Sequence, residues 1–207
     1  HIEDGWMMFD FHSGEQTVQY VWEIPGIHNV ENATAAIAVL HNLGADFTAL
    51  QEGISSFKGI KRRYTKHTFE NGKIYVDDYA HHPTELNAVI GSIRTFNPNK
   101  KLLVAFQPHL FSRTRDFADG FAESLAAADE LLLLDIYPAR ELQKDFEGVN
   151  SDWLLEKVQL EKKEVCSLSE AFDKIKEKDF DILLTVGAGN IDTLYDPIMN
   201  WIGTLKN

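Results

Sequence analysis

Residues 73–85 read Lys73-Ile74-Tyr75-Val76-Asp77-Asp78-Tyr79-Ala80-His81-His82-Pro83-Thr84-Glu85. The apolar run, rich in β-branched and aromatic residues, predicts a short buried strand over 73–78. Pro83, suited to the first turn of a helix, predicts a helix from about Pro83 to Thr95. Between them, two carboxylates, a phenol and two imidazoles crowd into six residues. A buried strand with a titratable tip, leading into a helix, is how an α/β unit with a ligand cleft begins.

The same rhythm continues downstream. KLLVAFQPH (101–109) precedes a predicted helix over Thr114–Ala127, and ELLLLDIYP (130–138) precedes a polar loop and a helix over Ser151–Val158. A short strand at Glu164–Cys166 leads to a helix over Ser169–Lys176, and DILLTVGAGN (181–190) leads to a last helix over Ile191–Ile202. Upstream, Asn71-Gly72 predicts a hairpin joining Tyr64–Phe69 to 73–78. Nearly continuous apolar runs alternating with helices predict a Rossmann-like, mostly parallel sheet with helices on both faces.

The first part of the chain differs. Strands are predicted over Trp6–Phe11 and Thr17–Glu23 around Ser13-Gly14-Glu15. Val30, Ala33, Ala36, Ile37 and Leu40 recur at helical spacing up to a stop at Gly44, and the alanines predict that another backbone packs close. Thr48-Ala49-Leu50-Gln51 has the form of a capping box opening a second, short helix. The division falls at residues 57–63, giving 1–57 as part of a neighbouring domain and 58–207 as the α/β domain. With no initiator methionine and a strand almost at residue 1, the chain is expected to be a piece of a longer protein.

The 207 residues include 32 Asp and Glu against 20 Lys and Arg, for a formal charge of −12. That balance argues against a nucleic-acid surface. No run approaches the roughly 18–20 apolar residues that span a bilayer. A single cysteine, Cys166, rules out an intrachain disulfide and a cysteine-built zinc site, and is compatible with a cytoplasmic location. It is expected to be a buried small hydrophobe.

Four of the predicted strands end in unusual chemistry: Asp77-Asp78-Tyr79-Ala80-His81-His82, then Gln107-Pro108-His109 with Arg113 and Arg115, then Asp135-Ile136-Tyr137-Pro138, then Gly187-Ala188-Gly189-Asn190. In open parallel sheets these ends share one edge, where ligands bind. Adjacent His81 and His82 point apart in extended chain and lack a specified third ligand, so a helix N-cap is the better reading than a metal pair. Gly187-Ala188-Gly189 reads either as a phosphate loop or as room for the last helix to pack. Neither GxGxxG nor GxxxxGK[ST] occurs, which disfavours a dinucleotide oxidoreductase. The basic run Lys58-Gly59-Ile60-Lys61-Arg62-Arg63 is either a solvated face or a phosphate contact.

VDDYAHHPTE, FQPHLFSRTRDF, DIYPARE and VGAGNID, in this order, together with PGIHNVENATAAIAV and FKGIKRR, resemble the Mur ligase family, in its branch that joins L-alanine to UDP-N-acetylmuramate. The resemblance covers essentially the whole chain. It implies an ATP- and Mg²⁺-dependent ligase of three domains, working through an acyl phosphate in peptidoglycan synthesis. Residues 1–57 would close the central ATP-binding domain and 58–207 would be the last domain.

Residue by residue, the resemblance makes His28, Asn29 and Asn32 face adenine, Arg63 contact the nucleotide phosphates and Asp78 bind the ribose. Tyr79, His81, His109 and Arg113 would line the alanine pocket, with Arg113 clamping the carboxylate. No metal ligand is assigned. Leu110 stands where the family often has arginine, and Asn190 where aspartate is common. With neither P-loop nor UDP-sugar domain in this stretch, it is expected to be inactive alone. The rival readings are a relative that rejoins whole peptides to UDP-N-acetylmuramate and a non-catalytic nucleotide-binding module.

Overall fold

A computed structural model describes residues 2–3, 6–22, 24 and 26–205. Their contacts divide the chain into two units, His1–Ile60 and Lys61–Asn207.

The first unit is an antiparallel sheet with two helices. Strands β1 (Ile2–Glu3), β2 (Trp6–Ser13) and β3 (Gln16–Trp22) pair in sequence order. The expected hairpin is present, turning at Gly14 with φ at +60°. Helix α1 (Ile27–Asn42) stops as expected, with Gly44 at φ +98°, a conformation that costs glycine nothing. Helix α2 (Phe47–Ser56) is capped by Asp46, whose side chain accepts from the Ala49 amide, so the Thr48 capping box is corrected to Asp46. An aspartate with extended backbone one residue ahead of the helix is the stronger cap. The core joins Tyr20, Ile37 and Leu50 to Phe9, Phe11 and Phe47. Among the described side chains of α1, Ala33 and Ile37 are buried. Ala36 and Leu40 are exposed, so the predicted apolar face is narrower within this unit.

The second unit is the α/β domain. Its strands are β4 (Thr65–Thr68), β5 (Ile74–Asp78), β6 (Leu102–Phe106), β7 (Glu130–Leu134), β8 (Lys163–Cys166) and β9 (Ile182–Val186). They line up as β4-β5-β9-β6-β7-β8. Only β4 runs antiparallel, joined to β5 by the predicted Asn71-Gly72 turn. The expected mostly parallel sheet with helices on both faces is therefore present.

Side-chain alternation explains the two layers. Val76, Val104, Phe106, Leu131, Leu133 and Leu184 face one cluster, which takes in helices α3 (Pro83–Phe96), α5 (Ala118–Leu125) and α6 (Ser151–Lys157). Tyr75, Leu103, Ala105, Leu132 and Leu183 face the other, with α7 (Leu168–Lys176) and α8 (Tyr195–Thr204). Every residue of β6 and β9 is buried, each Leu, Ile, Val and Phe side chain worth about 1.5–3 kcal/mol, so these central strands anchor the domain.

Two helices differ from expectation. The stretch after β6 begins earlier, as α4 (Phe111–Asp116), and breaks at Phe117 before α5. The last helix opens as a 3₁₀ turn over Asn190–Leu194 before α8. Cys166 is buried as expected, and burial pushes its thiol up to about 11.

Candidate functional site

Because β9 lies between β5 and β6, with β7 beyond, the four polar strand ends become neighbours along one edge. Their backbones are tied together there: Gly187 N donates to Asp78 O, Gln107 N to Val186 O, and Tyr137 N to Pro108 O.

The β5 tip is a self-braced loop. The Asp78 carboxylate accepts from Tyr64 N at 2.6 Å and from Ala80 N at 2.7 Å. His82 is the N-cap of α3, as the sequence suggests: its ring accepts from Thr84 N, while Glu85 takes the amides of His81 and His82. His81 turns the other way, its Nδ1 within 2.9 Å of Tyr79 O. Among the described residues, no three carboxylate, imidazole or thiol groups are placed to hold a metal ion.

A file of rings crosses the edge. Tyr79 and His81 meet edge-on at 5.2 Å, His81 and His109 at 6.0 Å, and His109 lies against Tyr137 at 5.7 Å between centroids. Beside it stands Arg113. His109 Nδ1 and Arg113 Nη1 are both buried without a hydrogen-bond partner among the described residues. Buried polar atoms are rarely left so, and this pair, one just past β6 and one on α4, makes the edge a candidate place for a polar ligand. Burial, then the Arg113 charge and His81, hold the His109 pKa below its ordinary value, which favours the neutral ring.

Three supports of this cluster lie outside the site residues assigned from sequence. Gln107 is buried, donates to Asn190 Oδ1 at 2.8 Å and accepts from Ile191 N at 2.9 Å. Its backbone and side chain fill the space a Cβ would need at Gly187 and Gly189. The glycines thus admit Gln107 and Tyr137 rather than the last helix. Glu141 accepts from the backbone and hydroxyl of Ser112, bracing the start of α4, and these bonds lower its pKa despite burial. Arg62, from the basic run, folds inward onto Gly187 and Tyr79, while Arg63 is exposed. Gln107 and Tyr137 stand out in sequence only as strand-end polar residues and Arg62 only as a member of the basic run; nothing local marks Glu141.

The structure therefore brings Tyr79, His81, His109 and Arg113 to one edge, with Asp78 and Arg63 on the same unit. His28, Asn29 and Asn32 belong to the first unit, on the opening turns of α1; Asn32 is exposed, and the side chain of His28 lies outside the described residues. Leu110, at the start of α4, adopts φ +70°, a conformation strained for a side-chain-bearing residue.

A family model described as Mur ligase, glutamate ligase domain, matches residues 62–189. The chain is 46% identical over 191 residues to a UDP-N-acetylmuramate–L-alanine ligase of Flavobacterium psychrophilum, a match covering 92% of this chain and 42% of the relative. Among solved structures, a UDP-N-acetylmuramate–alanine ligase from Thermotoga maritima superposes with a TM-score of 0.74 at 26% identity, over 95% of this chain and 42% of that one. A murein peptide ligase from Psychrobacter arcticus shares the fold, with a TM-score of 0.62 at 22% identity, over 94% of this chain and 41% of that one. The chain thus spans under half the length of the relatives it matches.

Proposed function

The chain belongs to the Mur ligase family, and we propose that it is part of an ATP-dependent ligase that joins L-alanine to UDP-N-acetylmuramate in cytoplasmic peptidoglycan synthesis. Residues 1–57 would complete the central ATP-binding domain and 58–207 form the last domain. The observation that carries the reading is the pair of unpartnered buried atoms, His109 Nδ1 and Arg113 Nη1, at the sheet edge, in a chain 46% identical to a ligase of that name.

A free amino acid needs its carboxylate held so that its amine points at the acyl carbon. Arg113 suits the carboxylate, because a guanidinium fork matches its geometry. Neutral His109 suits the amine, as an acceptor for one of its hydrogens. Tyr79 and His81 close the pocket side. ATP, as a substrate, supplies the phosphoryl group that turns the muramate carboxylate into an acyl phosphate. Arg63, exposed and cationic, is the residue of this unit proposed to reach the nucleotide phosphates, and Asn29 and Asn32, with His28, are proposed to face adenine. Asp78 is proposed to reach the ribose, although both its oxygens already brace the β5 loop. Among the described residues no three carboxylate, imidazole or thiol groups gather, and most ligands of the Mg²⁺ that the reaction would use are proposed to lie on other parts of the ligase.

The test is a phosphate-release assay with UDP-N-acetylmuramate, ATP and either L-alanine or a tripeptide. The longer ligase should turn over with alanine, and Arg113→Gln should raise the KM for alanine by about 100-fold, the loss of a charged hydrogen-bonded contact. The 207-residue chain alone should release no phosphate. A preference for the tripeptide would support the peptide-joining reading instead.

A further inference from the structure

Resting on that reading, we propose that Arg62 is a positioning residue for the amino-acid pocket: it fastens Tyr79 and the glycine turn after β9 to one guanidinium. The consecutive arginines of the basic run part company here. Arg62 sits at φ +62°, and its side chain is only 16% exposed. Its Nη2 donates to Gly187 O at 2.6 Å, and its Nη1 lies 3.3 Å from Asp192 Oδ2. The same guanidinium stands 4.9 Å from the centre of the Tyr79 ring. The backbone adds a further tie, since Tyr79 N donates to Arg62 O at 2.7 Å. Thr65 Oγ1 accepts from Arg62 N at 3.0 Å and braces the turn from below.

Arg62 therefore holds Tyr79 by ring and by backbone, and reaches across to the turn that Gln107 holds from the other side. Tyr79 is 40% exposed, and its ring contacts among the described residues are the edge of His81 and the Arg62 guanidinium. Without Arg62 the ring would be free to swing, and His81, packed on its edge, with it. A planar fork that donates to two acceptors while stacking on an aromatic face is a task lysine cannot copy.

Hydrogen exchange and ligase kinetics test the assignment together. In the 207-residue chain, Arg62→Met and Arg62→Lys should each speed exchange of the Tyr79 and Gly187 amides by about tenfold, and Arg63→Met should leave both unchanged. Should the methionine variant fail to fold, the lysine variant, which keeps the charge beside Asp192, carries the comparison. In the longer ligase, Arg62→Lys should raise the KM for L-alanine by about tenfold and leave the KM for ATP within about twofold, a split that general destabilisation would not produce. Unchanged exchange at Tyr79 and Gly187, or an unchanged KM for alanine, overturns the proposal. An unaltered ligase that joins no alanine overturns the proposed function instead, while the exchange rates still decide whether Arg62 holds Tyr79.

Discussion

His109 and Tyr137 meet twice, once through their backbones and once through their rings. They form an isolated parallel bridge that extends the β6–β7 pairing past the sheet, with Leu110 N donating to Tyr137 O at 2.9 Å. Above it the imidazole lies 19° from the plane of the phenol ring. The ring of His109 is thereby held in a half-buried slot beside the Arg113 charge.

That placement sets its titration. Burial first, then Arg113, lower the pKa of His109 from the ordinary 6.5. An NMR titration of the imidazole should give a midpoint below that value, and Arg113→Met should move the midpoint upward. A midpoint that ignores Arg113 would mean the two groups do not share a pocket.

The glycine turn should be intolerant of any side chain. A Cβ on Gly187, at φ +146°, would stand 2.5 Å from Gln107 O, and one on Gly189 would stand 2.4 Å from Gln107 Oε1 and 2.7 Å from Tyr137 Cβ. Gly187→Ala and Gly189→Ala should each cost about 2–3 kcal/mol in urea unfolding. Gly91, within α3 and with open space around it, is the contrast: alanine there should add up to about 1 kcal/mol.

Asp77 should make stability fall as pH rises. Its side chain is buried, its Oδ1 accepts from Thr185, and its Oδ2 has no partner among the described residues. Burial raises its pKa, against the opposing pull of Thr185 and Arg62. The folded protein then keeps a proton that the unfolded chain gives up, so the carboxyl costs stability as pH climbs past the ordinary aspartate range. As pH rises through and above the ordinary aspartate range, Asp77→Asn should gain on the wild type in parallel denaturation curves. A difference that stays flat across that range would remove the raised pKa.

Glu85→Ala should cost about 1 kcal/mol, the worth of a helix cap. It strips the acceptors from His81 N and His82 N, 2.8 and 3.1 Å away. Thermal melts will measure the loss, and the His81 amide should exchange faster in the same variant.

The sheet was legible because buried parallel strands announce themselves as short apolar runs, as Leu102–Phe106 and Ile182–Val186 do. The break at Phe117 was not, since neither glycine nor proline marks it. It lies in the backbone of Phe117 itself, which leaves helical angles at φ −118° and ψ 20° between α4 and α5. At the site, strand-end residues could be found from local pattern alone. Gln107 to Ile191 and Arg62 to Gly187 span 84 and 125 positions, and contacts of that range arise from topology rather than from neighbouring residues. Arg62 was further hidden by lying next to Arg63, where a left-handed turn sends two identical side chains to different fates.

The outermost strands of the six-stranded sheet are only four residues long. One carries the exposed Lys66, and the other carries Lys163 and Glu164. A stray chain seeking to add a seventh strand would find too few free amides and carbonyls, flanked by charge. The parallel centre must pair late and over long distances during folding. Such blunted margins give it time to do so before two half-folded copies can zip together.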